Sequence, residues 1–154
     1  MRKLLCALPL LFSVPLIAQS APQMPGTMDV ARVTAGTYNT DPSHTLIGWR
    51  VSHFGFNDYF GIFGDATGTL ILDPAKLNEA KVDITIPVSK VTTASAGLTG
   101  HLLRAGKDDG KADFFGPAPT DAKFVSTSVV ANGITAKING NLTLNGVTKP
   151  VVLD

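Results

Sequence analysis

Apolar and polar residues alternate along much of this chain, most clearly over residues 45–54. Ile47, Trp49, Val51 and His53 recur at every second position in this stretch. A period of two places all four side chains on one face of a β-strand. The segment therefore predicts a strand, and its histidine and aromatic content allows three uses of that face: catalysis, metal binding or the wall of an apolar pocket.

The alternation continues downstream. Residues 61–72 form the next predicted strand, after a stretch at 55–61 that is typical of a hairpin connection. Residues 81–88 alternate again and predict a half-buried strand. A short strand is expected near Tyr38. These segments predict an antiparallel sheet.

Three more strands are predicted at 123–130, 134–144 and 147–153. The dipeptides Asn132-Gly133 and Asn145-Gly146 separate them, and both residues of such a pair tolerate positive φ. Strands joined by tight turns of this kind pair with their sequence neighbours. The C-terminal third is therefore predicted to be an antiparallel meander.

A short helix is the expected interruption of the strand pattern. It is predicted to be capped by Thr92 or Thr93 and to run through Leu103, with Leu98, Leu102 and His101 as the candidates for its buried side. Glycines within it weaken it by about 1 kcal/mol each relative to alanine. The sequence therefore predicts an all-β domain with one short helix.

The segment 104–119 is predicted to be a loop that carries Phe114 and Phe115. Its mixed charges are typical of a solvated surface. Two aromatic side chains on such a loop are costly unless they cover something apolar. We expect the pair to close one end of a barrel.

Closing the sheet into a barrel would remove its exposed edges, and about eight strands enclose room for one small ligand. A closed or nearly closed antiparallel β-barrel is therefore predicted. A sandwich with a filled core shows the same alternation, so periodicity leaves a pocket and a filled core both open. The predicted inward-facing set is almost wholly apolar and consists of Ile47, Trp49, Val51, Leu70, Leu72, Val82, Ile84, Ile86, Phe124, Ile138, Leu142 and Leu144.

The N-terminus has the pattern of a secretory signal. Arg2 and Lys3 precede an apolar run over 4–17, and small residues lead to a predicted cleavage after Ser20. The run is too short to span a bilayer, which takes roughly 20 apolar residues. We expect a signal peptide at 1–20, an exported protein without a stable membrane anchor, and a periplasmic or otherwise secreted location.

The remaining chain is expected to be a lead-in at 21–36 and one domain at 37–154. The chain has 13 Lys and Arg against 12 Asp and Glu, and loss of Arg2 and Lys3 leaves 11 against 12, a formal charge of −1. Such a balance does not attract nucleic acid. The single cysteine, Cys6, lies in the predicted signal, so the exported domain would fold without a disulfide.

Several separate motifs carry a resemblance over about Tyr38 to Asp154. These segments are "YNTDPSHTLIGWRVSHFG", "GIFGDATGTLILDP", "VDITIPVSKVTT", "HLL", "DFF", "KFVSTSV" and "GNLTLNGVTKPVVLD". With them the chain resembles the YceI-like family of exported lipid-binding proteins. That resemblance implies a lipocalin-like antiparallel barrel whose elongated cavity takes a polyisoprenoid such as an isoprenoid quinone.

Two features depart from the family pattern. The family tends to have an acidic residue before the helix histidine, and Gly100 stands there before His101. Members also usually continue for a few dozen residues beyond the position of Asp154. Since six long strands and a short one are fewer than about eight, we expect C-terminal truncation, with at least one more hairpin in the natural protein. The open edges of such a chain would permit a homodimer.

The histidines give a weak case for chemistry. His44, His53 and His101 have no paired metal-ligand spacing, and Ser52 and His53 point to opposite faces of a strand. We expect no metal site and no enzyme activity. His44 is expected to fix the turn before the first long strand by bonding backbone. For His53, a polar side-chain partner and the head group of a ligand stay open.

The function expected from the sequence is transport or storage of a polyisoprenoid or isoprenoid quinone in an apolar barrel cavity, with no catalytic cofactor. The alternative is a structural or interaction barrel whose core is filled by its own side chains. Ligand contacts are expected from the inward-facing set, together with five further residues: His53, Leu98, Leu102, Phe114 and Phe115.

Overall fold

The computed structural model describes Gly26 and residues 29–154. The chain divides into two units, Met1–Val30 and Ala31–Asp154, and the strands and the helix lie in the second. The predicted signal peptide, its cleavage point and residues 21–25, 27 and 28 of the predicted lead-in lie outside the described residues.

Within the described residues nine strands form two antiparallel sheets. The strands are β1 (Gly36–Asn39), β2 (Ile47–His53), β3 (Asn57–Phe63), β4 (Thr67–Leu72), β5 (Lys81–Ile86), β6 (Val91–Thr93), β7 (Ala122–Asn132), β8 (Thr135–Leu144) and β9 (Val147–Leu153), with the helix α1 (Ala96–Leu103) after β6. The larger sheet has the order β1-β4-β5-β7-β8-β9, and the smaller has the order β2-β3-β6.

Most of the predicted strands are confirmed. The strand expected near Tyr38 is β1, which pairs with β4. The C-terminal meander is β7, β8 and β9, each antiparallel to the next. Asn145 and Gly146 have φ of 50° and 76°, the positive values that a tight two-residue hairpin turn requires.

The hairpin predicted after residue 54 is confirmed, but its turn is shorter than 55–61, and the strand predicted at 61–72 is two strands, β3 and β4. Residues 57–63 are strand β3, and the turn is only His53 to Phe56, closed by a 3.1 Å bond from the Phe56 amide to the His53 carbonyl. The two glycines of this stretch, Gly55 and Gly61, suggested one long loop. Gly61 instead lies within the strand, where an aromatic ring from β2 takes the place of its missing side chain.

The predicted helix is confirmed with a different cap. Ser95, not Thr92 or Thr93, accepts the Leu98 amide at 3.2 Å and begins α1. The two threonines belong to β6, which pairs with β3. Ladder pairing with Gly61 and Ile62 therefore takes precedence over the capping preference of threonine.

The predicted fold class, antiparallel β structure with one short helix, is confirmed, and of the closed or nearly closed barrel that was predicted the described residues do not form the closed version. β1 and β9 end the larger sheet, and β2 and β6 end the smaller, with no ladder between the two. Among the described residues β1 pairs only with β4 and β2 pairs only with β3, so no strand is shared by the two sheets. The sheets therefore meet through side chains and not through backbone hydrogen bonds.

The buried core joins both sheets and the helix. Phe63 and Val91 come from the smaller sheet, Ile86 and Ala122 from the larger, and Leu102 from α1. Val88 completes this cluster from the 3-10 turn Val88–Lys90 and is almost fully buried. Further 3-10 turns are Val30–Arg32, Leu77–Glu79 and Lys107–Asp109.

Candidate functional site

An apolar cavity of about 710 Å³ lies beside this core. Its wall comes from β2, β3, α1, the loop after the helix and the end of β8. Its lining residues are Trp49, Val51, Ser52, His53, Phe54, Tyr59, Phe63, Leu98, His101, Leu102, Phe114, Phe115 and Leu144. Ten of these thirteen are aliphatic or aromatic, which makes the cavity suited to an apolar ligand.

The β2–β3 ladder supplies the aromatic part of the wall. Val51 lies opposite Tyr59, and Trp49 lies opposite Gly61. The Trp49 ring covers the face of Gly61 and is 6.4 Å from the Phe63 ring, centroid to centroid. Its indole Nε1–H is buried without an acceptor among the described residues. Such a group costs roughly 1–3 kcal/mol, which the packing of the ring must offset.

Helix α1 presents one side to the cavity. Leu98, His101 and Leu102 are spaced by three or four residues, which places them on one face of a helix. The Thr99 hydroxyl accepts the Thr93 amide at 3.0 Å and links the first turn of α1 to β6. This bond and the Ser95 cap fix the helix against the smaller sheet.

The loop phenylalanines close part of the cavity, as the sequence predicts for one end of a barrel. Phe115 packs against Phe63 at 6.2 Å between ring centroids, and its amide donates to the Leu102 carbonyl at 3.0 Å. Phe114 packs edge-on against His101 at 5.1 Å and stays partly exposed. The loop is therefore tied to the end of α1.

A polar cluster lies beside this aromatic pair. The Asp113 Oδ2 is 2.7 Å from His101 Nε2 and 3.0 Å from Arg104 Nη2. Hydrogen bonds from His101 and then Arg104 lower the pKa of Asp113 below its ordinary value. The carboxylate fixes the His101 tautomer with its proton on Nε2. The 2.8 Å approach of Arg104 Nη2 to that nitrogen therefore follows from the shared carboxylate and is no further hydrogen bond.

The carboxylate for His101 thus comes from the "DFF" segment and not from the position before the histidine. Gly100 contributes no side chain there. Asp113 is twelve residues further along the chain, and the loop folds back to bring it to the helix. Sequence spacing alone does not indicate this pairing.

The other histidines have different surroundings. His44 is exposed, and its Nδ1 lies 2.7 Å from Asp41 Oδ2, so the predicted turn role holds with a carboxylate as its side-chain partner and not the backbone. His53 is exposed at the cavity, with its ring against Phe54 and no side-chain hydrogen bond within the described residues. Those residues also contain no group of three or more His, Cys, Asp or Glu that could hold a metal ion.

Eight of the predicted ligand contacts line the cavity: Trp49, Val51, His53, Leu98, Leu102, Phe114, Phe115 and Leu144. Nine do not line it: Ile47, Leu70, Leu72, Val82, Ile84, Ile86, Phe124, Ile138 and Leu142. Ile86 and Phe124 are buried, and Ile47 and Ile84 pack against the core, so this part of the inner face is filled by side chains. Val82 borders a separate, more polar groove on the larger sheet.

Five lining residues are absent from the predicted contacts: Ser52, Phe54, Tyr59, Phe63 and His101. Tyr59 was hidden by the loop predicted at 55–61, and Phe63 by the prediction of one continuous strand at 61–72, in which it falls on the face opposite Leu70 and Leu72. Reading "NDYFGIF" as a strand would have found them.

Residues 38–154 match the profile of the YceI-like domain. The chain belongs to the YceI-like family. A UPF0312 protein of Pseudomonas paraeruginosa is 42% identical over 123 residues, which cover 77% of this chain and 60% of that protein. Protein YceI of Salmonella arizonae is 37% identical over 123 residues, covering 78% of this chain and 61% of that protein.

Solved structures agree with the fold. A crystal structure of a mutant CJ YceI protein with a monobromobimane guest has a TM-score of 0.52 and 30% identity, covering 75% of this chain and 64% of that one. The YceI-like chain spans about 60% of the length of the relatives named above. Among its described residues, no helix has the length and apolar character needed to cross a bilayer.

Proposed function

We propose that this YceI-like protein binds a polyisoprenoid lipid or an isoprenoid quinone in the apolar cavity and carries or stores it after export. The observation that carries the proposal is the lining, in which six aromatic and four aliphatic side chains surround one space. A volume of about 710 Å³ lies within the usual range of roughly 300–1,000 Å³ for small-molecule sites. The signal pattern at residues 1–20 supports a periplasmic or secreted location.

The binding energy would come from burial of hydrocarbon. Each CH₂ group removed from water contributes about 0.8 kcal/mol, so a chain of several isoprene units binds tightly without many polar contacts. Besides the Trp49 Nε1–H and the Tyr59 hydroxyl, the polar side chains in the wall are Ser52, His53 and His101, and a ligand head group would contact them. The protein would bind and release its ligand without changing it chemically, and no catalytic cofactor is part of the proposal.

A structural or interaction protein without a ligand is the second candidate. It is favoured by the filled part of the inner face, where Ile86, Val88 and Phe124 are buried. A protein of this kind would leave the cavity empty of lipid. Titration with an added quinone therefore separates the two candidates.

Trp49 provides the signal for that titration, because it is the single tryptophan of the chain and lies in the cavity wall. A short-chain ubiquinone should quench its fluorescence saturably. Val51→Asp should weaken binding by about tenfold or more, because the carboxylate would lose water beside an apolar ligand.

Val130→Asp is the matched control. Val51 is 54% exposed and lines the cavity, whereas Val130 is 58% exposed on β7 and lines no part of it. Both substitutions at exposed positions should change the free energy of unfolding by less than about 0.5 kcal/mol. Equal loss of binding in the two variants, or no quenching at all, would contradict the proposal.

A further inference from the structure

Two phenylalanines are exposed together at the tip of the β2–β3 hairpin. Phe54 is 85% exposed and Phe56 is 90% exposed, on either side of Gly55. Large apolar side chains at a loop tip are costly in water, and contiguous exposed apolar residues mark interaction surfaces. We call these two residues and Gly55 the hairpin tip.

The backbone conformation of the hairpin tip does not favour a phenylalanine at position 54. Phe54 and Gly55 have φ of 55° and 79°, nearly the same as Asn145 and Gly146 in the β8–β9 turn. Asparagine enters the left-handed region readily, whereas a bulky aromatic residue does so at a cost. The β8–β9 turn has the residue that suits this geometry, and the hairpin tip does not. Strain of this kind is typical of functional positions.

The tip is also continuous with the cavity. Phe54 is one of the cavity-lining residues, and its ring packs against His53 at 4.7 Å between centroids. A surface that binds the tip would therefore lie next to the cavity wall. An apolar ligand could pass between that surface and the cavity with little exposure to water.

The charges near the tip favour a neutral partner. Residues 54–57 are Phe, Gly, Phe and Asn. The nearest charged groups along the hairpin, Arg50 and Asp58, form an ion pair at 3.2 Å and offset each other. The hairpin tip can therefore enter an apolar phase without burying a net charge, and its binding does not require anionic lipid.

From these observations we infer that the hairpin tip inserts Phe54 and Phe56 into the headgroup and acyl boundary of a lipid bilayer, and so brings the cavity to the membrane for ligand exchange. Aromatic and aliphatic side chains on amphipathic surfaces bind at this depth. The exchange role rests on the proposed function, whereas the insertion itself does not.

Flotation of the purified protein with vesicles of phosphatidylcholine and phosphatidylethanolamine tests the inference. Phe54→Asn with Phe56→Asn should reduce vesicle binding by about tenfold or more, because each exposed phenylalanine contributes burial in the bilayer. Asparagine suits the left-handed φ at position 54, so the variant should melt no lower than the parent protein.

Ile134→Asn is the matched control. Ile134 is 83% exposed in the β7–β8 turn and lines no part of the cavity. Its replacement should leave vesicle binding unchanged. Phe56→Trp gives a second readout, because it adds a fluorophore at the hairpin tip. After the Trp49 signal of the parent protein is subtracted, the remaining fluorescence should be quenched by brominated phosphatidylcholine in the bilayer.

Three results would overturn the inference: no vesicle binding by the parent protein, equal binding by the double variant, or a change in oligomeric state in place of vesicle binding. Failure of the proposed function has a different signature. If the parent protein binds vesicles, the double variant does not, and the parent protein never binds quinone, then the membrane insertion stands and the proposed function fails.

Discussion

The Trp49 indole lies directly over Gly61 across the β2–β3 ladder. A Cβ atom on Gly61 would fall inside the contact distance of the indole ring and would lie 2.9 Å from the Thr92 carbonyl oxygen. The missing side chain is therefore what allows the Trp49 ring to approach the β3 backbone this closely. This arrangement shapes the aromatic wall of the cavity.

Gly61→Ala should accordingly destabilise the fold. Overpacking of this kind costs about 1–3 kcal/mol, because the ring or the backbone must move. Chemical denaturation followed by Trp49 fluorescence measures the change. Gly48→Ala on the adjacent strand is the control, since a Cβ there meets nothing within 4 Å. Similar losses in the two variants would show that Trp49 does not depend on Gly61.

The Asp113 cluster predicts a pH dependence of stability. Because His101 and Arg104 lower the pKa of Asp113, the ionised form of this side chain is favoured more in the folded state than in the unfolded state. Ionised Asp113 therefore contributes to the stability of the fold. The contribution is fully present above the ordinary aspartate pKa of about 3.9. It is lost as the pH falls through the lower folded-state pKa. The melting temperature of the parent protein should therefore exceed that of Asp113→Asn at pH 7, and the gap should close in acid.

Asp108→Asn controls for the change of charge in the same loop. Asp108 has no ion pair within the described residues, and its φ of 51° suits asparagine. Its replacement should leave the melting temperature at pH 7 unchanged. A gap between parent and Asp113→Asn that stays constant from pH 7 to pH 2 would argue against the assigned cluster.

Much of the fold follows from alternation and turn chemistry. The meander β7 to β9 was predictable because each turn contains Asn-Gly between strongly alternating strands. Strand β3 was not predictable in this way, because glycines such as Gly55 and Gly61 are typical of loops. β6 has only three residues, Val91–Thr93, which is too short for a period of two to stand out. β3 pairs with β2 and with β6, and among the described residues β6 pairs only with β3. Their strand conformation therefore depends on contacts between segments that are distant in the sequence.

The cavity was predictable only in part. Alternation correctly placed Trp49, Val51 and His53 on one face, and all three line the cavity. It cannot distinguish an inward side chain in a filled layer from one beside open space, so Phe124 appeared equivalent to Val51. The pairing of His101 with Asp113 depends on the path of a loop, which leaves no periodic signal.

The histidines yield a prediction about metals. His44 precedes β2 and His53 ends it, and a seven-residue strand of this kind spans about 20 Å. These two imidazoles cannot share one zinc ion, whose nitrogen ligands lie at about 2.0–2.1 Å. Added zinc or a chelator should leave the melting temperature unchanged, whereas a metal bound only by the folded state would raise it. A zinc-dependent rise that is lost in His53→Ala would contradict the prediction.

Solvent extraction of the protein purified from its native host, followed by mass spectrometry of the extract, tests the proposed function most directly. A ligand held by burial of many CH₂ groups should survive purification in water, since each contributes about 0.8 kcal/mol. The proposal predicts a prenyl lipid or isoprenoid quinone in the extract, at a level that falls in Val51→Asp and not in Val130→Asp. An extract without prenyl lipid, from protein that also fails to bind added quinone, would contradict it.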